Sequence, residues 1–451
     1  MLPPTADPAR LGFDPRRLSR IDSHFGRYVD DGLLPGWQIV VTRRGEVVHA
    51  STYGQRDREA GLPVAEDTLW RIYSMTKPLT SVAAMALWEE GRFELTDELS
   101  RFIPAFEGVR VYDKGSALRP FTVPATEPIR LWHLLTHTSG LTYGFMQTSV
   151  VDALYRKAGF DLGPSEELDL ATLCERYAAL PLLFQPGSAW GYSVATDVLG
   201  RVIEVVTGQS LDAVFEERIL RPLAMTDTRW WVDPEAAGRL AALYAAREPA
   251  LGPDRQGGAY REPALGPDRQ GGAYREPALG PDRQGGAYRP GGGAAVRYDA
   301  LGRYALRAPA AFAGGSGLVS SAADYHRFTQ MLLRGGELDG QRILGNRTLR
   351  YMTRNHLPGG RDLGALSTGG FAETTQEGIG FGLGFAVVGD PVPGRTLASP
   401  GEYYWGGMAS TLFWVDPAEE LTAMLFTQVV PSGTHPLRPQ LHQLVYSALV
   451  D

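Results

Sequence analysis

Ser74 and Lys77, in Tyr73-Ser74-Met75-Thr76-Lys77-Pro78-Leu79, form the pairing in this chain best suited to covalent chemistry. A serine hydroxyl is a poor nucleophile until a base takes its proton, and a lysine partly withdrawn from solvent can serve as that base. Residues three apart on a helix share a face, so the two side chains can meet. The stretch Leu79 to Glu90 carries apolar residues at helical spacing and stops at Gly91, which places Ser74 at the start of a helix. Pro78 fits the first turn, where its missing N–H costs nothing. A helix start also offers a free backbone N–H and partial positive charge, both suited to a developing oxyanion. The competing reading is an ordinary helix start with a solvated lysine, and a lone Ser-x-x-Lys does not decide between them.

Two further segments supply company. Gly191-Tyr192-Ser193-Val194 follows Pro186-Gly187 and precedes a second helical stretch, Val194 to Val206, which ends at Gly208. A tyrosine close to a lysine can relay a proton to a leaving group, although a loop tyrosine is also a common half-buried packing residue. Tyr404-Trp405-Gly406-Gly407-Met408 runs into a strand. Paired glycines there permit close approach of a substrate, and the Met408 N–H could complete an oxyanion hole with that of Ser74. A bulge or turn accounts for the glycines equally well.

The elements that must position these residues are legible at both ends. Gln38 to Thr42 and Glu46 to Ala50 flank Arg43-Arg44-Gly45 as a hairpin, and Thr411 to Val415 and Leu421 to Phe426 flank Asp416 to Glu420 as another. An amphipathic helix is expected from about Pro436. Strands at both ends around a helix-rich middle predict an antiparallel sheet built from both termini, with the middle inserted as a helical lobe.

Composition closes several alternatives. The 451 residues carry a net charge of -7 with no basic stripe, so no nucleic-acid partner is expected. Lys77, Lys114 and Lys157 are the only lysines. Cys174, the sole cysteine, permits no intrachain disulfide and no Cys-ligated zinc; it reads as a small buried hydrophobe. His133 and His137 lack the further ligands a metal needs and read as structural, so neither a metal nor a cofactor is expected. Asp324 reads as a helix cap or local hydrogen-bond partner. No apolar run approaches a membrane span and the start does not read as a signal peptide, so a cytoplasmic protein without a membrane partner is the expectation. A 14-residue unit, Arg-Glu-Pro-Ala-Leu-Gly-Pro-Asp-Arg-Gln-Gly-Gly-Ala-Tyr, stands in tandem at 247–260, 261–274 and 275–288. Its Pro and Gly break helix and strand periodicity, which suggests a flexible surface loop or, alternatively, a lid near the site.

With these segments in order, the chain resembles the penicillin-recognising serine hydrolases, and most closely the group of class C β-lactamases and family VIII carboxylesterases. Ser74-x-x-Lys77 looks like the nucleophile-and-base motif, Tyr192-Ser193-Val194 stands where the family has Tyr-x-Asn, and Trp405-Gly406-Gly407 where it has Lys-Thr-Gly. Leu134 to Leu141, Pro222 to Thr228 and Gly314 to Asp324 resemble its connecting signatures. The resemblance implies the β-lactamase/transpeptidase-like α/β (α+β) fold over a single catalytic domain, 1–451. Its antiparallel sheet, flanked by helices, would come from about 1–70 and 295–451, and an all-helical lobe from about 75–230, with the site in the cleft between.

The resemblance assigns Ser74 as nucleophile, Lys77 and Tyr192 as proton carriers, and the Ser74 and Met408 N–H groups as oxyanion hole. Trp405, Gly406, Gly407 and Val194 would line the substrate. Trp405 replaces the lysine that holds a substrate carboxylate, and Val194 replaces the asparagine that holds an acylamide. Both departures favour an uncharged small-molecule ester over a penicillin. A β-lactamase, a D-amino-acid amidase or peptidase, an acyltransferase, or a penicillin-binding-like protein that acylates without turnover remain the alternatives.

Overall fold

The computed structural model describes residues 2, 4–161, 167–247, 293–368 and 376–451. Apart from Arg247, the tandem repeats at 247–288 lie outside the described residues, and so does the question of a loop or lid there.

The N-terminal hairpin forms as strands β1 (Gly36–Arg43) and β2 (Glu46–Asp57), longer than the alternation alone predicts, with Arg44 and Gly45 at the turn in left-handed conformation. A short β3 (Leu62–Pro63) extends it. From the far end of the chain come β4 (Ile379–Phe381), β5 (Ala386–Val388), β6 (Tyr403–Gly406), β7 (Leu412–Asp416) and β8 (Leu421–Phe426). They assemble into one eight-stranded sheet in the order β4-β5-β6-β7-β8-β1-β2-β3, with every neighbouring pair antiparallel. The two ends meet where Gln38 pairs with Phe426 and Val40 with Met424.

Every residue of β1 is buried, so alternation fails as a guide there and both faces of the sheet must be covered. Helix α4 (Ala322–Leu333) covers one face, where Tyr325 meets Phe413 at 5.2 Å. The C-terminal helix α5 (Leu437–Tyr446) covers the other, where His442 lies 4.5 Å from Trp414. Successive strand residues thus face opposite layers. Helix α1 (Arg20–Asp30) packs beside α5 on that second face and also contacts β2.

The middle of the chain is mainly helical. Helix α2 (Thr76–Glu89) buries eleven of its fourteen residues and packs against α3 (Ala195–Thr207), which Gly208 ends in the left-handed conformation. A helix buried nearly all round is a central one. The expectation of an all-helical lobe needs one correction, because strands Arg110–Ser116 and Arg119–Pro124 form an antiparallel hairpin inside it. Val111, Tyr112, Phe121 and Val123 are β-formers, and Gly115, opposite Pro120 at a φ of 108°, lets the second strand approach where a Cβ would lie 2.3 Å from the Arg119 carbonyl.

The connecting signatures act as ties between these layers. Asp324 is not itself the cap of α4; Ser321 is, accepting the Asp324 N–H at 3.3 Å. The Asp324 carboxylate instead accepts the Asp227 N–H at 2.7 Å and the Thr228 hydroxyl at 2.9 Å, fastening 222–228 to α4. Phe426 stacks on Trp70 at 6.2 Å and meets Tyr325 at 6.4 Å, at the junction of sheet and α4. Phe426→Ala is expected to cost about 3–5 kcal/mol, read as a lowered midpoint of chemical denaturation.

Candidate active site

Ser74 sits in a single 3₁₀ turn, Tyr73–Met75, that runs straight into α2. Tyr73 is held at a φ of 44°, a conformation that costs a non-glycine residue energy and is retained where the surroundings enforce it. They do so from several sides. The Ile72 N–H donates to the Leu318 carbonyl at 3.1 Å, and the Leu318 N–H to the Thr76 hydroxyl at 3.2 Å. The Tyr325 hydroxyl donates to the Met75 carbonyl at 3.0 Å. The Ser74 N–H therefore lies in the first turn of a fixed helix start, where a backbone donor has no partner within the helix.

The Ser74 Oγ accepts two hydrogen bonds, from Lys77 Nζ at 3.2 Å and from the Tyr192 hydroxyl at 2.7 Å. Ser74, Lys77 and Tyr192 are all buried. Lys77 Nζ also donates to the Gly315 carbonyl at 2.7 Å, and it lies 4.6 Å from the Tyr192 ring centre and 5.5 Å from that of Tyr143. Electron-rich ring faces and a carbonyl are what a cation requires when it leaves water.

Tyr192 belongs to the loop that enters α3. That loop is pinned by the Gly191 N–H on the His137 carbonyl at 2.9 Å and by the Trp190 N–H on the Leu366 carbonyl at 2.9 Å. A Cβ on Gly191 would meet the Phe184 ring at 2.8 Å, so the glycine permits the close approach. His137 shares a hydrogen bond of 3.1 Å with the Ser193 hydroxyl and packs 4.9 Å from the Tyr192 ring. His133 accepts the Arg130 N–H at 2.9 Å, at the start of its own short helix. Both histidines are engaged within the connector, as a structural role requires. Burial pushes the His133 pKa down to about 4. Burial, and then the charge of Lys77, push His137 well below the usual histidine value.

Trp405 faces the same centre, 5.4 Å from Tyr192 and perpendicular to Phe381 at 5.3 Å. It is fully buried, so it forms a wall rather than a free surface residue. Gly406 ends β6, opposite Leu412. Gly407 follows, packed so tightly that a Cβ would lie 2.3 Å from the Thr411 hydroxyl and 2.5 Å from the Ile72 carbonyl. This contact draws the turn carrying Met408 against the turn carrying Ser74. Arg438 of α5 holds the strand from behind, donating to the Trp405 carbonyl at 3.2 Å. Val194 is buried at the entry to α3, its N–H on the Thr142 carbonyl at 3.4 Å. A recess lined by Thr142, Met146, Leu183, Trp190 and Thr368 adjoins Tyr192.

The structure thus brings Ser74, Lys77, Tyr192 and Trp405 together, with Gly407 and Met408 beside the nucleophile turn. Two participants escaped the sequence reading. Gly315, within the Gly-Gly-Ser-Gly of a connector, presents a carbonyl to Lys77, and Tyr143 presents a ring. Neither residue type advertises such a role, and only its nearness to a motif could have flagged it.

Residues 21–447 match the family model described as Beta-lactamase. Protein Rv1367c of Mycobacterium tuberculosis is 34% identical over 405 residues, 89% of this chain and 88% of that one. Esterase EstB of Burkholderia gladioli is 33% identical over 448 residues, 98% of either chain. Among solved structures, EstCE1, a hydrolase with promiscuous acyltransferase activity, superposes with a TM-score of 0.71 at 27% identity, over 96% of this chain and 99% of that one. Simvastatin synthase (LovD) of Aspergillus terreus shares the fold with a TM-score of 0.72 at 20% identity, over 96% of this chain and 98% of that one.

Burial and Lys77 both oppose a charge on His137, so its ring is expected to stay neutral at pH values where exposed histidines take up a proton. In an NMR titration its resonances are expected to remain fixed while those of exposed histidines shift.

Proposed function

Because the chain belongs to the Beta-lactamase family, we propose that it is a serine carboxylesterase, hydrolysing small or medium uncharged carboxylic esters through an acyl-enzyme on Ser74. The observation that carries this reading is the Ser74 Oγ held between Lys77 Nζ at 3.2 Å and the Tyr192 hydroxyl at 2.7 Å. Those are distances at which a proton can pass.

In the first step Lys77, with Tyr192 beside it, takes the Ser74 proton as Oγ bonds to the ester carbonyl carbon. The carbonyl electron pair moves onto oxygen, where the Ser74 and Met408 N–H groups stabilise it. Collapse of the tetrahedral intermediate breaks the bond to the alcohol oxygen, which leaves with a proton delivered through Tyr192. Water then repeats the sequence on the acyl-enzyme and releases the acid.

The wall at Trp405 supports an uncharged substrate, since an indole cannot hold a carboxylate as an ammonium does. The Burkholderia esterase, alike over its whole length, supports ester hydrolysis. EstCE1, which adds acyltransferase activity, supports a second outcome for the same intermediate, transfer to an alcohol in place of water.

Ser74→Ala is expected to lose at least about a thousandfold in turnover of short p-nitrophenyl esters, because no acyl-enzyme can form. The wild type should open a chromogenic cephalosporin slowly by comparison. Undiminished ester hydrolysis in the variant would overturn the mechanism, and rapid cephalosporin opening would overturn the substrate class. Gly407→Ala, whose Cβ must displace the Met408 turn, is expected to lower kcat roughly a hundredfold while thermal unfolding still shows a folded protein.

A further inference from the structure

Asp197 stands in the first turn of α3 and is fully buried. An isolated carboxylate in such a place is costly unless it is paired or hydrogen-bonded. Its Oδ1 accepts the Gly315 N–H at 2.8 Å, and the carbonyl of that same glycine accepts from Lys77 Nζ at 2.7 Å. One residue therefore links the acid to the lysine. Among the described residues Oδ2 accepts no hydrogen bond. A Cβ on Gly315 would lie 2.8 Å and 2.9 Å from the two carboxylate oxygens, so the carboxylate rests directly on the glycine.

The other titratable groups nearby stay uncharged. Cys174 and Tyr177, from the helix Leu170–Ala178, are pushed well up, by burial and then by the Asp197 charge. His137 is held neutral from the opposite side. Arg201 and Glu204, further along α3, pair with each other at 3.0 Å. Burial raises the Asp197 carboxyl, and the Lys77 charge and the Gly315 N–H offset only part of that rise. That leaves Lys77 and Asp197 as the opposed charges of this interior.

We propose that Asp197 is a positioning residue for the base: its carboxylate is the counter-charge of the Lys77 ammonium formed when Ser74 gives up its proton, and its hold on Gly315 aims that carbonyl at Nζ. The inference rests on Lys77 acting as the base. It extends the logic of a nucleophile, a base and a third group that steadies the charged base, without requiring Asp197 to take the proton itself.

Asp197→Asn tests it, because the amide keeps the shape and an oxygen for the Gly315 N–H but removes the charge. A nearby negative charge favours the ammonium, so without it Lys77 loses its proton at lower pH. In the pH profile of kcat/KM on a short p-nitrophenyl ester, the acid limb is expected to move about one unit lower, with the plateau down about tenfold. A lower plateau with an unmoved limb would mean a merely structural carboxylate and would overturn the proposal. Should thermal melts show Asp197→Asn unfolded, Gly315→Ala is read in the same way, since its Cβ displaces both oxygens. A limb shifted downward supports the proposal, and an unmoved one overturns it. Full turnover in Lys77→Ala would instead remove the base assignment, a failure distinct from that of Asp197.

Discussion

A lysine taken out of water sets the terms for the centre of this molecule. An ammonium cannot be buried among apolar side chains without replacing its hydration, and Lys77 finds replacements on three separate parts of the chain. The Gly315 carbonyl comes from a connector ahead of α4, the Tyr192 ring from the loop entering α3, and the Ser74 hydroxyl from its own helix start. Much of the surrounding packing serves to bring those parts to one point. Glycines stand where a side chain would not fit, at Gly191 against the Phe184 ring and at Gly407 against the Ile72 backbone.

The sheet supplies the rigidity that such convergence needs. Strand β6 carries Trp405 between β5 and β7, so the wall of the site has paired backbone on both sides. The nucleophile turn abuts this strand and is tied through Leu318 and Tyr325 to the helix behind the sheet. Movement of Ser74 relative to Trp405 would require breaking hydrogen bonds or a dry interface, a route more costly than adjusting loops at the rim.

What could be read from sequence followed from periodicity and from motif. Both hairpins, α2, α3 and the C-terminal helix announce themselves through apolar spacing, helped at α2, α3 and the first hairpin by a glycine at the end or turn. Ser74, Lys77, Tyr192 and Trp405 were legible because their types are informative and their order along the chain is distinctive. The hairpin at 110–124 was missed because it lies inside a helical region and exposes much of its apolar surface, including Phe121. The roles of Gly315, Tyr143 and Asp197 were invisible for a different reason. Backbone carbonyls, ring faces and a lone buried carboxylate acquire meaning only when distant segments meet in space, and no local pattern encodes that meeting.

The pairing of β1 with β8 joins the second strand-rich end of the chain to the first, Gln38 beside Phe426. During synthesis the hairpin of β1 and β2 is made long before β8, the strand that covers its other edge. That edge, buried on both faces in the folded protein, stays unpaired until the intervening chain has been made. So distant a closure makes for slow folding and a long interval in which that edge can pair wrongly. Shielding that edge until β8 has docked is what would keep the chain from pairing wrongly.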